Sequence, residues 1–127
     1  MYLYLIDDEP VQHHITKFYF QQNEAITQNS FFFDATLALQ WLINNSVQEE
    51  KLPDIILLDL NMPIMDGWGF LYKLSEITPA LKKSIKVFIV SSSITESDIS
   101  KSKSFPFVKG FYSKPISPLQ LKEILSQ

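Results

Sequence analysis

The chain has 127 residues, 46% hydrophobic and 20% charged, and 11 basic against 14 acidic residues leave a formal net charge of −3. That length holds one core, and an acidic balance argues against direct nucleic-acid binding, which needs basic side chains to neutralise phosphates. The absence of cysteine excludes disulfides, thiolate zinc sites and thiol nucleophiles, and no apolar run approaches the ~20 residues that span a bilayer. The reading is a single domain over residues 1–127, cytoplasmic, with no targeting segment and no membrane insertion.

The elements follow in chain order. Tyr2–Ile6 is a continuous apolar run, the pattern of a strand covered on both faces. Pro10 suits the first position of a helix that continues to about Asn23. A second strand lies within residues 25–33, where polar Thr27, Gln28 and Asn29 fit an edge position, and Phe31, Phe32 and Phe33 read as core. Asp34 caps a helix that runs through Trp41, also read as core, to about Asn45. Ile55–Leu58 is a third strand, and Asp66 caps a helix carrying Trp68, Leu71, Leu74 and Ile77. Residues 86–90 form a fourth strand. Thr95 with Asp98 three residues on approaches a capping box for a fourth helix, which Pro106 in Phe105-Pro106-Phe107 closes. A brief fifth strand covers 111–113, and Ser117-Pro118-Leu119-Gln120 opens a last helix with cap, proline and partner glutamine in place. Strict alternation predicts an α/β fold, a doubly wound five-stranded parallel sheet with right-handed crossovers and helices on both faces.

In such a sheet ligands gather outside the carboxyl ends of the strands. Those ends carry Asp7, Asp8 and Glu9 after the first strand, and Asp59 with Asn61, Met62 and Pro63 after the third. Ser91, Ser92 and Ser93 follow the fourth, and Lys114-Pro115 follows the fifth. Three aspartates would repel one another unless a divalent cation and Lys114 offset them. Magnesium accepts one or two carboxylates beside water and phosphate oxygens, so the set describes a phosphoryl site with Asp59 available as nucleophile.

These residues resemble the receiver domain of two-component response regulators over the whole chain: Asp7-Asp8, Asp59 with Met62-Pro63 and Asp66-Gly67 behind it, Ser91, and Lys114-Pro115. The resemblance implies a flavodoxin-like (βα)5 fold with strand order 2-1-3-4-5. It implies that Asp59 accepts a phosphoryl group from a phosphohistidine of a sensor histidine kinase or histidine phosphotransfer protein. Mg2+, or Mn2+, would be ligated by Asp8, Asp59 and the backbone carbonyl of Asn61, with Asp7 acting through water. Ser91 would swing in to bind the phosphoryl group, Lys114 would pair with it across a characteristically cis Lys114–Pro115 bond, and Phe111 would be the aromatic switch partner of Ser91. The output surface would be helix 4, strand 5 and helix 5, read by a protein effector, in a monomer or a phosphorylation-dependent homodimer. No enzyme activity is implied beyond self-phosphorylation from phosphodonors and autodephosphorylation, and no organic cofactor. Ending after its fifth helix, the chain reads as a stand-alone receiver.

Departures and plainer readings stand beside this. Ser91 lacks the methyl of the commoner threonine, and Phe111 cannot donate a hydrogen bond as tyrosine could, so coupling to output is the open part. Asp7-Asp8 alone could cap the first helix, and Asp59 alone could be a turn or cap residue. His13 and His14 point about 100° apart on a helix, so one packs and one is solvated near the rim. Lys82-Lys83 and Lys101-Lys103 read as solvated faces. A dehalogenase-type phosphatase would place its nucleophile after the first strand. A flavin binder would want a hydroxyl- and glycine-rich loop where Asp7-Asp8-Glu9 stand. The serious alternative is a receiver-shaped interaction module that works without phosphorylation.

Overall fold

The computed structural model describes residues 1–92 and 94–127; Ser93, grouped above with Ser91 and Ser92, lies outside the described residues. Strand β1 (Tyr2–Ile6) is buried on every residue because it sits mid-sheet, paired in parallel with β2 (Gln28–Phe32) on one side and β3 (Ile55–Leu58) on the other. Strands β4 (Lys86–Ser91) and β5 (Val108–Ser113) continue the sheet in the order β2-β1-β3-β4-β5. Between them run α1 (Pro10–Gln21), α2 (Ala35–Asn44), α3 (Gly67–Ile77), α4 (Glu96–Ser102) and α5 (Pro118–Leu125).

Alternate strand residues feed two cores, which is why the runs are apolar throughout rather than every second residue. Tyr4, Ile6, Ile56, Leu58, Val87 and Ile89 pack with α2 and α3 through Ala38, Leu42, Phe70 and Leu74. Leu3, Leu5, Ile55, Leu57, Phe88 and Val90 pack with Phe20 of α1 and with Leu121 and Ile124 of α5. Each Val, Leu, Ile or Phe side chain among them stabilises the fold by about 1.5–3 kcal/mol relative to exposure.

The caps expected from sequence are present. Asp34 accepts from the Thr36 N–H at 2.8 Å and Asp66 from the Gly69 N–H at 2.8 Å. Thr95–Asp98 and Ser117–Gln120 both form reciprocal capping boxes.

The sequence reading needs four corrections. Trp41 and Phe33 are exposed rather than core. The inward stripe of α2 is Ala35, Ala38, Leu39 and Leu42, which leaves Trp41 one position off it, and Phe33 lies past the last ladder residue of β2. Helix α4 ends at Ser102, before Pro106 can act, and a turn then buries Phe105. Strand β5 begins at Val108 and carries a bulge opposite Val87/Phe88; as the second edge strand it is only half-buried. Two lysines read as solvated have partners: Lys83 Nζ pairs with Asp54 at 3.1 Å, and Lys101 Nζ sits 4.6 Å over the Trp68 ring.

Candidate functional site

Ile6 faces Leu58 in the β1–β3 register, so the next residues, Asp7 and Asp59, emerge side by side at the carboxyl rim of the sheet. The ladder holds both backbones: the Asp7 N–H donates to the Phe32 carbonyl and the Asp59 N–H to the Ile6 carbonyl, each at 3.0 Å. Ser91 faces Ser113 across β4–β5, and the Lys114 N–H donates to the Ser91 carbonyl at 3.0 Å, which brings Lys114 to the same rim. The Lys114–Pro115 bond is cis, as the resemblance implied.

Lys114 Nζ lies 2.8 Å from Asp7 Oδ2, 3.1 Å from Asp59 Oδ2 and 3.2 Å from Glu9 Oε1. The first three side chains are nearly inaccessible, at 4%, 3% and 2% for Lys114, Asp7 and Asp59. Oxygen atoms of Asp7, Asp8, Glu9 and Asp59 all fall within 4.8 Å of one another. Four carboxylates thus face one ammonium. Burial raises the Asp7 carboxyl above the ordinary carboxylate value and Lys114 only partly offsets this. Asp59 is raised by burial and then by Asp7. Burial alone would lower Lys114, but its pairs with Asp7 and Asp59 outweigh that, so the ammonium is held firmly protonated.

The acidic residues are not equivalent. Asp7 is used at every polar atom: Oδ1 accepts from the Glu9 N–H at 2.9 Å, Oδ2 binds Lys114, and its backbone groups are paired as well. Asp59 Oδ1 takes only a long bond from the Asn61 N–H, at 3.4 Å. Among the described residues, two buried side-chain oxygens have no partner: Asp8 Oδ1 and Ser91 Oγ. Buried polar atoms without partners are rare and ask for a ligand. An all-oxygen set with excess negative charge and one free carboxylate oxygen fits a hard divalent cation such as Mg2+.

The plainer readings fail on geometry. The N-cap residue of α1 is Glu9, which makes no side-chain cap bond and turns to Lys114 instead, so Asp7-Asp8 do not cap. The cap of α3 is Asp66, not Asp59. Glu9 was given no role from sequence although it adjoins Asp7-Asp8, and adjacency was the available signal. His13 is buried and His14 exposed, as expected, but the bond from His13 to the Asp7 carbonyl was not anticipated. Phe111 is half-buried against the core on the α2/α3 side.

The loop from Asp59 to α3 is tightly determined. Met62 and Met65 pack on the core, and the Gly67 N–H donates to the Leu60 carbonyl at 2.9 Å. A Cβ on Gly67 would stand 2.5 Å from the Asp59 carbonyl oxygen and 2.8 Å from Leu60 Cα, so only glycine lets α3 approach. At the loop's tip Ile64 adopts φ 70° while 88% exposed, a strained conformation for a β-branched residue.

Comparison with known proteins agrees with this fold. The structure is similar to a two-component response regulator from Cytophaga hutchinsonii, with a TM-score of 0.87 at 22% identity over 98% of this chain and 93% of that one. A response regulator receiver protein from Dyadobacter fermentans gives 0.81 at 25% identity over 99% and 95%. A CheY-like receiver domain protein from Methanospirillum hungatei gives 0.78 at 19% over 98% and 90%. No curated protein matches the sequence. The response regulator receiver domain family matches residues 3–126, and with the rim of Asp7, Asp8, Asp59, Ser91 and Lys114 in place, the chain belongs to that family.

Proposed function

We propose that this chain is a phosphorylation-activated receiver of a two-component phosphorelay, in which Asp59 takes a phosphoryl group from a phosphohistidine on a sensor kinase or phosphotransfer protein. The observation that carries the reading is the pair of unpartnered buried oxygens, Asp8 Oδ1 and Ser91 Oγ, at the rim where Lys114 holds Asp59. One is a carboxylate oxygen suited to a cation, the other a hydroxyl suited to a phosphoryl oxygen.

Asp8, Asp59 and the Asn61 carbonyl would hold Mg2+ or Mn2+, with Asp7 acting through water. When bound, the cation supplies positive charge against the phosphoryl oxygens. The chain's own residues do the positioning. Lys114 orients the Asp59 carboxylate and remains a cation at neutral pH. A carboxylate oxygen of Asp59 forms the new bond to phosphorus as the bond to the donor's imidazole nitrogen breaks, the electron pair staying on that nitrogen. Ser91 Oγ then donates to a phosphoryl oxygen, and its change of rotamer draws Phe111 after it by packing. That alters the surface of α4, β5 and α5, a local charge event biasing a two-state surface. The chain turns over nothing else; it phosphorylates itself from phosphodonors and dephosphorylates itself. A cytoplasmic location and a protein effector belong to the same reading; no helix among the described residues is long and apolar enough to cross a membrane.

The test is intact-mass measurement after incubation with acetyl phosphate and Mg2+, beside Asp59→Asn and a chelator control. One phosphoryl adduct is expected on the wild type with Mg2+ and none in either control. No adduct under any condition, with the fold intact, transfers the reading to an interaction module that works without phosphorylation.

A further inference from the structure

Among the described residues, His13 is the one buried titratable side chain near the rim that the proposed chemistry leaves unused. Its Nε2 lies 2.6 Å from the Asp7 carbonyl oxygen. A carbonyl can only accept, so Nε2 carries the hydrogen. The other face of the contact is aromatic: the His13 ring stacks on Phe33 at 3.8 Å between centroids and 7° between planes. Phe33 directly follows Phe32, whose carbonyl accepts the Asp7 N–H at 3.0 Å. The main chain of Asp7 is therefore clamped from two sides, by the end of β2 and by the first full turn of α1.

The clamp sits where the chain most needs one. At Asp7 the chain leaves the sheet, and α1 starts only at Pro10 with Glu9 as its cap residue. The backbone N–H groups of Gln12 and His13 go to the Glu9 carbonyl, and among the described residues no backbone N–H donates to the carbonyl of Asp7. Asp7 is buried, and water cannot readily replace a lost donor there. The same two-residue span carries Asp7 Oδ2 against Lys114 and a carboxylate oxygen of Asp8 into the carboxylate cluster.

We propose that His13 is a positioning residue for the cation site: its Nε2–H on the Asp7 carbonyl, with its ring braced on Phe33, fixes the backbone from which Asp7 and Asp8 present their carboxylates. The inference rests on the reading of the rim as a Mg2+ site. Groups that orient a ligand from behind commonly alter metal affinity 10–100-fold when removed.

Calorimetric Mg2+ titration of the wild type, His13→Phe and His13→Gln tests it. The phenylalanine keeps the stack and loses the donor; glutamine restores an N–H donor at the ε position. Mg2+ affinity is expected to fall about 10-fold in His13→Phe and to recover most of that loss in His13→Gln. A folded His13→Phe with wild-type affinity overturns the proposal, as does a glutamine variant weakened as far as the phenylalanine one. Independently of either variant, long-range 1H–15N spectra of the wild type must show His13 as the Nε2–H tautomer; the Nδ1–H tautomer overturns the proposal. A wild type that binds no Mg2+ overturns the metal reading itself, a result distinct from intact binding that His13 does not affect.

Discussion

Lys114 is the only cation within reach of the rim carboxylates in the ion pairs described, and replacing it by methionine keeps its aliphatic stem while removing the charge. Asp7 and Asp59 then remain as buried carboxylates without a counter-charge. Removing one partner from such a buried network costs about 3–5 kcal/mol. For a chain of this length each kcal/mol moves the melting temperature by roughly 3–5 °C, so the lower bound corresponds to a fall of roughly 10–15 °C. The loss must depend on pH with a definite sign. Both carboxyls already titrate above their ordinary value in the native state, so the folded protein binds more protons than the unfolded one in the window above that value. Stability attached to these groups therefore rises as pH falls from neutral into that window. Without the ammonium both carboxyls shift further in the same direction, so the deficit of Lys114→Met narrows between pH 7.5 and about 5 as protons replace the missing charge. Mg2+ is expected to stabilise the variant more than the wild type at pH 7.5, by linkage. Urea and thermal unfolding followed by circular dichroism, in chelator and in Mg2+ at both pH values, measure these effects. A deficit below about 1 kcal/mol in chelator at pH 7.5, or one that fails to narrow as the pH falls, would overturn this account, because it would mean that the two carboxylates do not depend on Lys114 for their counter-charge.

Four further variants can be compared with the wild type by the same unfolding measurement. Gly67→Ala drives a Cβ to 2.5 Å from the Asp59 carbonyl oxygen and is expected to cost about 1–3 kcal/mol. Gly69→Ala meets the flexible Met65 side chain at 3.1 Å and Asp66 Oδ1 at an ordinary 3.5 Å, and should be neutral or better; equal effects at the two glycines would contradict the backbone argument. Ile64→Gly removes the left-handed strain of an exposed residue and is expected to stabilise by about 1 kcal/mol; any loss of stability would show that φ 70° is not strained there. Ser91→Ala deletes an unpartnered buried hydroxyl, so the unmodified protein should lose less than about 0.5 kcal/mol. The phosphorylated form should lose its change in the α4–β5–α5 surface by NMR, and a variant that still switched fully would remove Ser91 from the mechanism.

Much of the fold was legible because its signals are local. A continuous apolar run such as Tyr2–Ile6 can be hidden only between two helical layers, and the caps at Asp34, Asp66, Thr95 and Ser117 act within three residues of themselves. Trp41 and Phe33 were misread because hydrophobicity says that a side chain gains from burial, while helix phase and strand length decide whether it is buried. Strand β5 was read too short because its first residues carry a bulge and a half-buried edge, which blur the pattern of alternation.

For the site, residue types at the strand ends put Asp7, Asp8, Asp59 and Lys114 on one rim, since a parallel sheet must gather its strand ends there, while Ser91 was singled out among Ser91, Ser92 and Ser93 only by the resemblance. Their division of labour was not legible. That Asp7 is saturated by Lys114, Glu9 and the backbone while Asp8 keeps a free oxygen depends on distances between segments as far apart as Glu9 and Lys114. The same holds for His13, whose helical position showed that one histidine would be buried but not what its ring nitrogen would meet. The layers, the caps and the chemical inventory of the rim are written in the order of the residues alone, because periodicity and residue type are properties of short segments. Which carboxylates are neutralised, which oxygens stay without a partner and what the Asp7 carbonyl meets emerge only on folding, because electrostatic and hydrogen-bond pairing fall off within a few ångströms and so depend on how distant segments come together.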